Sequence, residues 1–169
     1  MTISMYAASV PVFTQMLDSL SEVLKKAEEH AAEKNIAPEI LLQARLFPDM
    51  FALIRQVQIA ADFAKGVAGR LAESELPAYE DNEQTFADLQ TRIAKTKAFI
   101  SSLDAAKFAG SEEREIILRP GTPKEKKLNG QTYLLQYGLP QFFFHVTTTY
   151  AILRHNGVAL GKKDFMGAY

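Results

Sequence analysis

The sequence predicts an all-α protein built as a four-helix bundle. Four long segments carry apolar residues at intervals of three and four, which is the spacing of an amphipathic helix. Proline and glycine interrupt the chain between these segments. Four amphipathic helices in a chain of 169 residues can bury their apolar faces against one another, so we expect a single bundle domain over residues 1–169.

The first two long segments each predict a helix, and glycines in the second would let a neighbouring helix pack closely against it. The first covers the opening 35 residues, and a short helical piece follows at Pro38. The second is expected to begin at Pro48–Asp49, because an acidic residue in the first turn interacts favourably with the helix dipole. It contains Gly66 and Gly69, which we interpret as positions of close contact with another helix.

The third long segment predicts a helix that starts with a capping box from Asp81 to Gln84. Thr96 falls on the apolar stripe of this helix, so that face is not uniformly apolar. Between residues 107 and 130 the chain has a short β-type run and then prolines and a glycine that cannot continue a helix. We therefore expect a small hairpin or an irregular excursion before the last helix.

The last long segment predicts the final helix, with a break near Gly138–Pro140 and a glycine stop at Gly157. Three consecutive phenylalanines, Phe142–Phe144, subtend about 200° of a helix, so they cannot all face one core. At least one should meet another element, a partner subunit or a ligand cavity. We take this as an indication of an apolar homodimer face.

Composition argues against several function classes. The net charge is −1, which is not the basic footprint of a nucleic-acid-binding protein. No apolar run approaches the ~18 residues that span a bilayer, and the N-terminus lacks the positive region of a secretory signal, so we expect a cytoplasmic protein without a membrane partner. The absence of cysteine excludes thiolate zinc sites and a cysteine nucleophile. Arg70 and Arg154 could clamp an anion, but helix-surface arginines usually pair with acids.

Four separate blocks of the chain resemble the DinB-like superfamily, in a branch that is a domain of unknown function. The blocks are SMYAASVPVF (Ser4–Phe13), RLFPDMFALIRQVQIAADFAK (Arg45–Lys65), FFFHVTTTYAILRHNGV (Phe142–Val158) and GKKDFMG (Gly161–Gly167). The resemblance implies an up-down-down-up bundle with a long crossover between helices two and three, often paired as a homodimer. In better-known members, three histidines bind a divalent metal: one on helix two and two on the last helix, spaced HxxxH. Metal-bearing relatives include thiol-dependent S-transferases and isomerases.

Carried over to this chain, the histidine pattern is incomplete. His145 matches the first histidine of the last-helix pair, and Thr149 stands where the second would be. On helix two the matching position is Gln56, with Gln58 as the alternative. A zinc, nickel or manganese ion on His145, with Gln56 and Thr149 as further ligands, is therefore disfavoured. A catalytic metal takes about three ligands from His, Asp, Glu or Cys, and neutral Gln and Thr oxygens are weak by comparison.

Three roles are open for His145. The first is a buried, neutral imidazole that donates a hydrogen bond to a carbonyl or hydroxyl group, which is the role we favour. The second is a contact in a ligand pocket, and the third is a metal ligand. The hydroxyl groups of Thr147–Thr149 are its candidate partners, and Tyr150 or Tyr133 could supply another.

The sequence leaves three functions open and does not decide whether the protein is an enzyme. We favour a metal-free, dimeric protein that binds a small ligand between helices two and four. The alternatives are a divalent-metal-dependent enzyme of thiol-transferase type with a degraded metal triad, and a structural or interaction dimer. The residues expected to bind the ligand are His145, Gln56, Thr149 and Tyr150.

Overall fold

A computed structural model describes residues 3–169, so residues 1 and 2 of the predicted domain lie outside the described range. The helices are α1 (Val10–Lys34), α2 (Pro38–Leu42), α3 (Leu53–Leu71), α4 (Phe86–Ser101), α5 (Gly130–Thr132), α6 (Leu139–His155) and α7 (Lys162–Met166). A 3-10 turn (Ala105–Phe108) follows α4, and a π-helical turn (Tyr133–Gly138) leads into α6. Strands β1 (Glu115–Leu118) and β2 (Lys126–Asn129) pair antiparallel, with Ile116 opposite Leu128. The protein is therefore mostly helical with a small two-stranded sheet before α6, as the sequence predicted.

The apolar stripes of the long helices meet in one core. Helix α3 packs against both α4 and α6, and α1 packs against α4 and α6. Phe13 of α1 meets Phe142 of α6 edge-on, with ring centroids 4.9 Å apart. Burial of such side chains removes apolar surface from water and is the main favourable term in folding. Fully buried members of this core include Phe13, Leu17, Leu24, Leu53, Val57, Leu71, Phe86, Leu89, Phe142 and Ile152.

Helix α3 begins at Leu53, later than the predicted start at Pro48–Asp49. The chain turns first, because the amide of Met50 donates a hydrogen bond to the carbonyl of Phe47 at 3.0 Å, and Ala52 is still extended. Asp49 therefore does not lie in the first turn of a helix. Most residues of the 43–52 connection are exposed, although Ala52 is buried where the helix begins.

The capping box of α4 forms at Thr85 and Asp88 and not at Asp81–Gln84. The Thr85 hydroxyl accepts a hydrogen bond from the amide of Asp88 at 3.1 Å, and the Asp88 carboxylate accepts one from the amide of Thr85 at 2.9 Å. These two bonds satisfy amides at the start of the helix that have no partner within it. The box therefore sits one turn later than predicted.

Asp81 instead belongs to an ion network around Arg92, which is fully buried on α4. Arg92 Nη1 donates to Glu83 Oε1 at 2.9 Å, and Nη2 lies 3.0 Å from carboxylate oxygens of Asp62 and Asp81. The two Nη2 contacts are ion pairs without hydrogen-bond geometry. Burial pushes the pKa of Glu83 upward, but the hydrogen bonds from Arg92 and Gln58 outweigh it and hold that pKa below its usual value. The network ties the connection between α3 and α4 to both helices.

Helix α6 continues from the π-helical turn without the predicted break. Gly138 keeps a helical conformation, and Pro140 lies in the first turn of α6, where a missing amide donor costs little. The predicted stop is confirmed, since Gly157 follows the helix with a φ of 91°. Across residues 3–169, each helix is either too short or too polar to cross a bilayer.

Candidate functional site

Helices α3 and α6 bring Gln56 and His145 together, two of the residues that the sequence singled out. The Nδ1 atom of His145 lies 2.7 Å from the Oε1 atom of Gln56. Both side chains are buried, with 7% of His145 and 1% of Gln56 exposed. Because α3 and α6 are packed neighbours, the hydrogen bond joins two elements whose distance is already set by the core.

The orientation of the Gln56 amide determines which nitrogen of His145 carries the proton. Gln56 Nε2 donates to the backbone carbonyl of Phe51 at 3.1 Å, so the amide oxygen must face the imidazole. An amide oxygen only accepts, and Nδ1 of His145 is therefore the protonated nitrogen. Nε2 is left with a lone pair, and it has no hydrogen-bond partner within residues 3–169.

Burial keeps this imidazole neutral. Removal from water, and to a smaller extent the positive charge of the nearby Arg55, together lower the pKa of His145 to about 4. The ring lies between two aromatic side chains. Phe63 of α3 is stacked on it with centroids 6.0 Å apart, and Phe144 meets it edge-on at 5.2 Å. At neutral pH the site thus presents an uncharged hydrogen-bond acceptor in an aromatic surrounding.

Thr149 and Tyr150 do not converge on the imidazole ring. The Thr149 hydroxyl is fully buried and donates to the backbone carbonyl of His145 at 2.9 Å. Tyr150 packs against Phe165 of α7, with ring centroids 5.8 Å apart. Five residues along a helix correspond to a rotation of about 140° from His145, so Tyr150 lies on another side of α6. Of the predicted ligand-binding residues, only Gln56 contacts the His145 side chain directly.

The donor set around His145 does not fit a resident metal ion with three protein ligands. The amide oxygen of Gln56 already accepts from the imidazole, and Gln58 donates to Glu83 Oε2 at 2.8 Å on the α4 side. Asp62 lies in the Arg92 network. Across the part of the chain that the structure describes, no three His, Cys, Asp or Glu side chains come together in a group able to hold a metal.

An exposed aromatic patch borders the His145–Gln56 pair. We define the patch as Leu46, Phe47, Phe51 and Phe144, whose exposed fractions are 40%, 63%, 57% and 55%. A shallow groove of about 430 Å³ runs between the 43–52 connection and α6, lined by Leu46 and Met50 on one side and by Phe144 and Thr148 on the other. Within the Phe142–Phe144 run, Phe142 is in the core while Phe144 is exposed, so the three rings do not share one core.

Three contributors to the site were not predicted from the sequence: Phe63, Arg55 and the Phe51 carbonyl. Phe63 follows Gln56 by seven residues, two helical turns along the same face of α3, so helical spacing could have identified it. Arg55 is adjacent to Gln56, but its effect on His145 depends on the packing of α3 against α6. The Phe51 carbonyl has no sequence signal, because its position follows from the turn before α3.

Comparison with known proteins agrees with the DinB-like resemblance. None of the curated proteins matches this chain. The model of the domain of unknown function DUF1993 matches residues 5–166. The crystal structure of a DinB family member protein from Shewanella denitrificans is 40% identical, covers 97% of this chain and 92% of that chain, and superposes with a TM-score of 0.91. The chain therefore belongs to the DUF1993 family, a DinB-like domain of unknown function.

Proposed function

We propose that this protein is a homodimer that binds a small, neutral ligand through the Nε2 atom of His145. One observation carries the proposal. The hydrogen bond from His145 to Gln56 places the proton on Nδ1 and leaves Nε2 as an acceptor without a partner in residues 3–169. Nε2 is not among the fully buried polar atoms that lack a partner, so it is accessible from solvent. A ligand that donates a hydrogen bond can therefore reach this lone pair and replace water there.

The surroundings of the imidazole define the chemical class of this ligand. Since the ring is uncharged at neutral pH, it has no electrostatic preference for an anion. Phe63 and Phe144 favour an apolar or aromatic body. The low pKa also supports binding over acid–base catalysis, because an efficient general base has a pKa near the working pH. The ligand is accordingly an apolar molecule with one uncharged O–H or N–H donor, and no resident metal is part of the proposal.

The aromatic patch supports a homodimer as the second part of the proposal. Phe144 contacts the His145 ring, and the Phe51 carbonyl holds the Gln56 amide, so these two residues of the patch adjoin the site. A second copy packed on this patch would bury the exposed phenylalanines and exclude water from the His145–Gln56 pair.

Within the proposed dimer, the helices of each chain have the up-down-down-up topology, and residues 72–85 form the long crossover connection. The single domain over residues 1–169 and the cytoplasmic location remain predictions.

The ligand part of the proposal is tested with phenol and anisole. Both contain an aromatic ring, but only phenol has a hydroxyl group that can donate a hydrogen bond. Uniformly ¹⁵N-labelled protein is titrated with each compound while the ring nitrogens of His145 are followed by NMR. We expect phenol to shift the Nε2 resonance in a saturable way and anisole to leave it unchanged, because only phenol can donate to the lone pair. Equal responses to both compounds, or no response to either, would exclude the ligand part of the proposal.

The dimer is tested by measuring the mass in solution of the wild type and of Phe47→Asp, which places a charge on the patch. Ile117→Asp is the matched control, since Ile117 is an exposed apolar residue on β1. We expect a dimer for the wild type and the control and a monomer for Phe47→Asp. A wild-type monomer at micromolar concentration would exclude the dimer. A dimer that does not bind phenol would support the alternative function of a structural or interaction protein. The aromatic patch favours this alternative.

A further inference from the structure

A separate cavity lies where α3, the end of β1 and the π-helical turn meet. Its volume is about 190 Å³. This is below the 300–1,000 Å³ typical of pockets for drug-sized ligands, so it suits a small chemical group. Phe63, which is stacked on His145, also borders this cavity, but the side chains of His145 and Gln56 do not line it. The polar side chains that line it are Asp62, Arg70, Arg119, Tyr133 and Tyr137.

Arg70 is held in place at this cavity by neutral groups. Its Nη1 atom donates to the carbonyl of Gly66 at 3.0 Å and to the hydroxyl of Tyr133 at 3.2 Å. Within residues 3–169, no carboxylate lies within 4.0 Å of its guanidinium nitrogens. The expectation that Arg70 pairs with an acid is therefore wrong. A half-buried guanidinium that is oriented but unpaired retains donors for an anion.

Gly66 makes room for this arrangement. A Cβ atom at position 66 would lie 2.7 Å from Arg70 Nη1, so a side chain there would displace the guanidinium. Gly69 differs, because a Cβ at that position would meet Leu76 and Phe99. The predicted role in close packing thus describes Gly69. At Gly66 the missing side chain leaves room for the Arg70 guanidinium.

Arg119 brings a second positive charge to the cavity from the turn after β1. It adopts a left-handed backbone conformation with a φ of 53°, which is unfavourable for a residue with a Cβ. Like Arg70, it has no carboxylate within 4.0 Å among the described residues. The acid at the cavity, Asp62, is paired with Lys65 and Arg92 at 3.0 Å each. The two arginines therefore outweigh it, and the cavity is positively charged.

We propose that this cavity binds a small oxyanion, a phosphate or carboxylate group, between the guanidinium groups of Arg70 and Arg119. Guanidinium donors match the oxygens of both groups in geometry and charge. Burial raises the pKa of Tyr133 against the opposing effect of Arg70, so the phenol stays protonated and adds no negative charge to the cavity. The cavity holds the anionic group of a ligand, and the rest of the molecule extends past the exposed Arg119.

The test uses inorganic phosphate and acetate as probes on the full chain at constant ionic strength. Binding is followed by NMR through the Nε–Hε signal of Arg70 and, independently, through the rise in melting temperature. We expect a saturable response to at least one probe at millimolar concentration. The tighter probe identifies the source, because phosphate indicates a phosphorylated ligand and acetate a carboxylic acid. The absence of a saturable response to either probe would overturn the proposal.

Variants distinguish specific binding of the anion in the cavity from non-specific attraction of the anion to positive charge on the protein. Arg70→Gln and Arg119→Gln should each weaken binding of the better probe by about tenfold or more, because each removes one charged pair of donors. Gly66→Ala should weaken it while keeping every charge, since it displaces the Arg70 guanidinium. Arg154→Gln, on the exposed last turn of α6, is the matched control and should bind like the wild type. Equal losses in Arg154→Gln and Arg70→Gln would contradict the proposal. These variants leave His145 intact, so this result and the phenol titration succeed or fail separately.

Discussion

His145 donates its Nδ1 proton to Gln56, and the two atoms that share it lie 2.7 Å apart. The Gln56 amide is itself oriented by the Phe51 carbonyl at the end of the 43–52 connection. A turn before α3 therefore sets the tautomer of a histidine on α6. Burial then sets its charge, because the neutral imidazole is the form that tolerates removal from water.

The first prediction concerns the titration of His145, measured by NMR. The wild-type ring should remain neutral until the pH approaches its pKa of about 4. Gln56→Glu should raise that pKa, because a carboxylate beside Nδ1 stabilises the charged imidazolium. Gln136→Glu, the same change at an exposed position of the π-helical turn, is the control and should leave the His145 titration unchanged. An unaltered titration in Gln56→Glu would show that the Gln56 contact does not form in solution.

The second prediction is a loss of stability in mild acid. Because the pKa of His145 falls from 6.5 when exposed to about 4 when folded, the unfolded state binds the proton first as the pH drops. The contribution of His145 is complete above pH 6.5 and is lost progressively towards pH 4. The loss should reach at most about 3 kcal/mol.

Chemical denaturation of the wild type and His145→Asn across this range isolates the contribution of His145, since other groups titrate equally in both proteins. The free energy of unfolding should depend less steeply on pH in His145→Asn. Parallel curves for the two proteins would contradict the assignment.

The third prediction concerns metal. Protein purified without a histidine tag should contain no stoichiometric zinc, nickel or manganese, because residues 3–169 do not bring two further ligands of the required kind to His145. These ions should shift the melting temperatures of wild type, His145→Ala and the exposed control His155→Ala alike. A metal-dependent rise that is lost in His145→Ala but kept in His155→Ala would contradict this prediction. Assays of thiol transfer would then be warranted.

The fourth prediction concerns Arg92, the buried centre of the ion network. Arg92→Met should lower the free energy of unfolding by about 3–5 kcal/mol, because it leaves the carboxylate of Glu83 buried without its partner. Arg92→Met combined with Glu83→Gln should recover part of that loss. Arg55→Met is the comparison, since the Arg55–Asp81 pair is more than a third exposed and should contribute at most about 1 kcal/mol. Denaturant titrations that gave equal losses for Arg92→Met and Arg55→Met would show that burial of Arg92 is not decisive.

The fifth prediction concerns Thr96, which interrupts the apolar stripe of α4. Its side chain is fully buried, and its hydroxyl has no hydrogen-bond partner among the described residues. Thr96→Val keeps the shape and removes the unsatisfied group, so thermal unfolding should show a gain of about 1 kcal/mol. Thr91→Val, at an exposed position of the same helix, should gain less. A destabilised Thr96→Val would indicate that a water molecule or another group satisfies the hydroxyl.

Much of the fold could be predicted from local pattern. The helical spacing that identified α1, α4 and α6 records which side of each segment is apolar, and burying that side is what stabilises the helix. Gly157 ends α6 as predicted because a left-handed residue after a helix is unfavourable for most other side chains. The hairpin before α6 follows from prolines and glycines that no helix accommodates. The family resemblance singles out His145 and Gln56, and the packing of α3 against α6 brings their side chains into contact.

The sequence by itself thus determined a helical protein, the apolar face of each long helix and an incomplete histidine pattern. Only the tertiary structure decided that α3 begins after a turn, that Asp81 pairs with Arg92 and does not cap a helix, and that Nδ1 of His145 carries the proton. The physical reason is the range of the interactions. Periodicity and turn preferences act between residues a few positions apart, whereas the partner of a buried charge or imidazole comes from a distant segment whose position depends on how the helices pack.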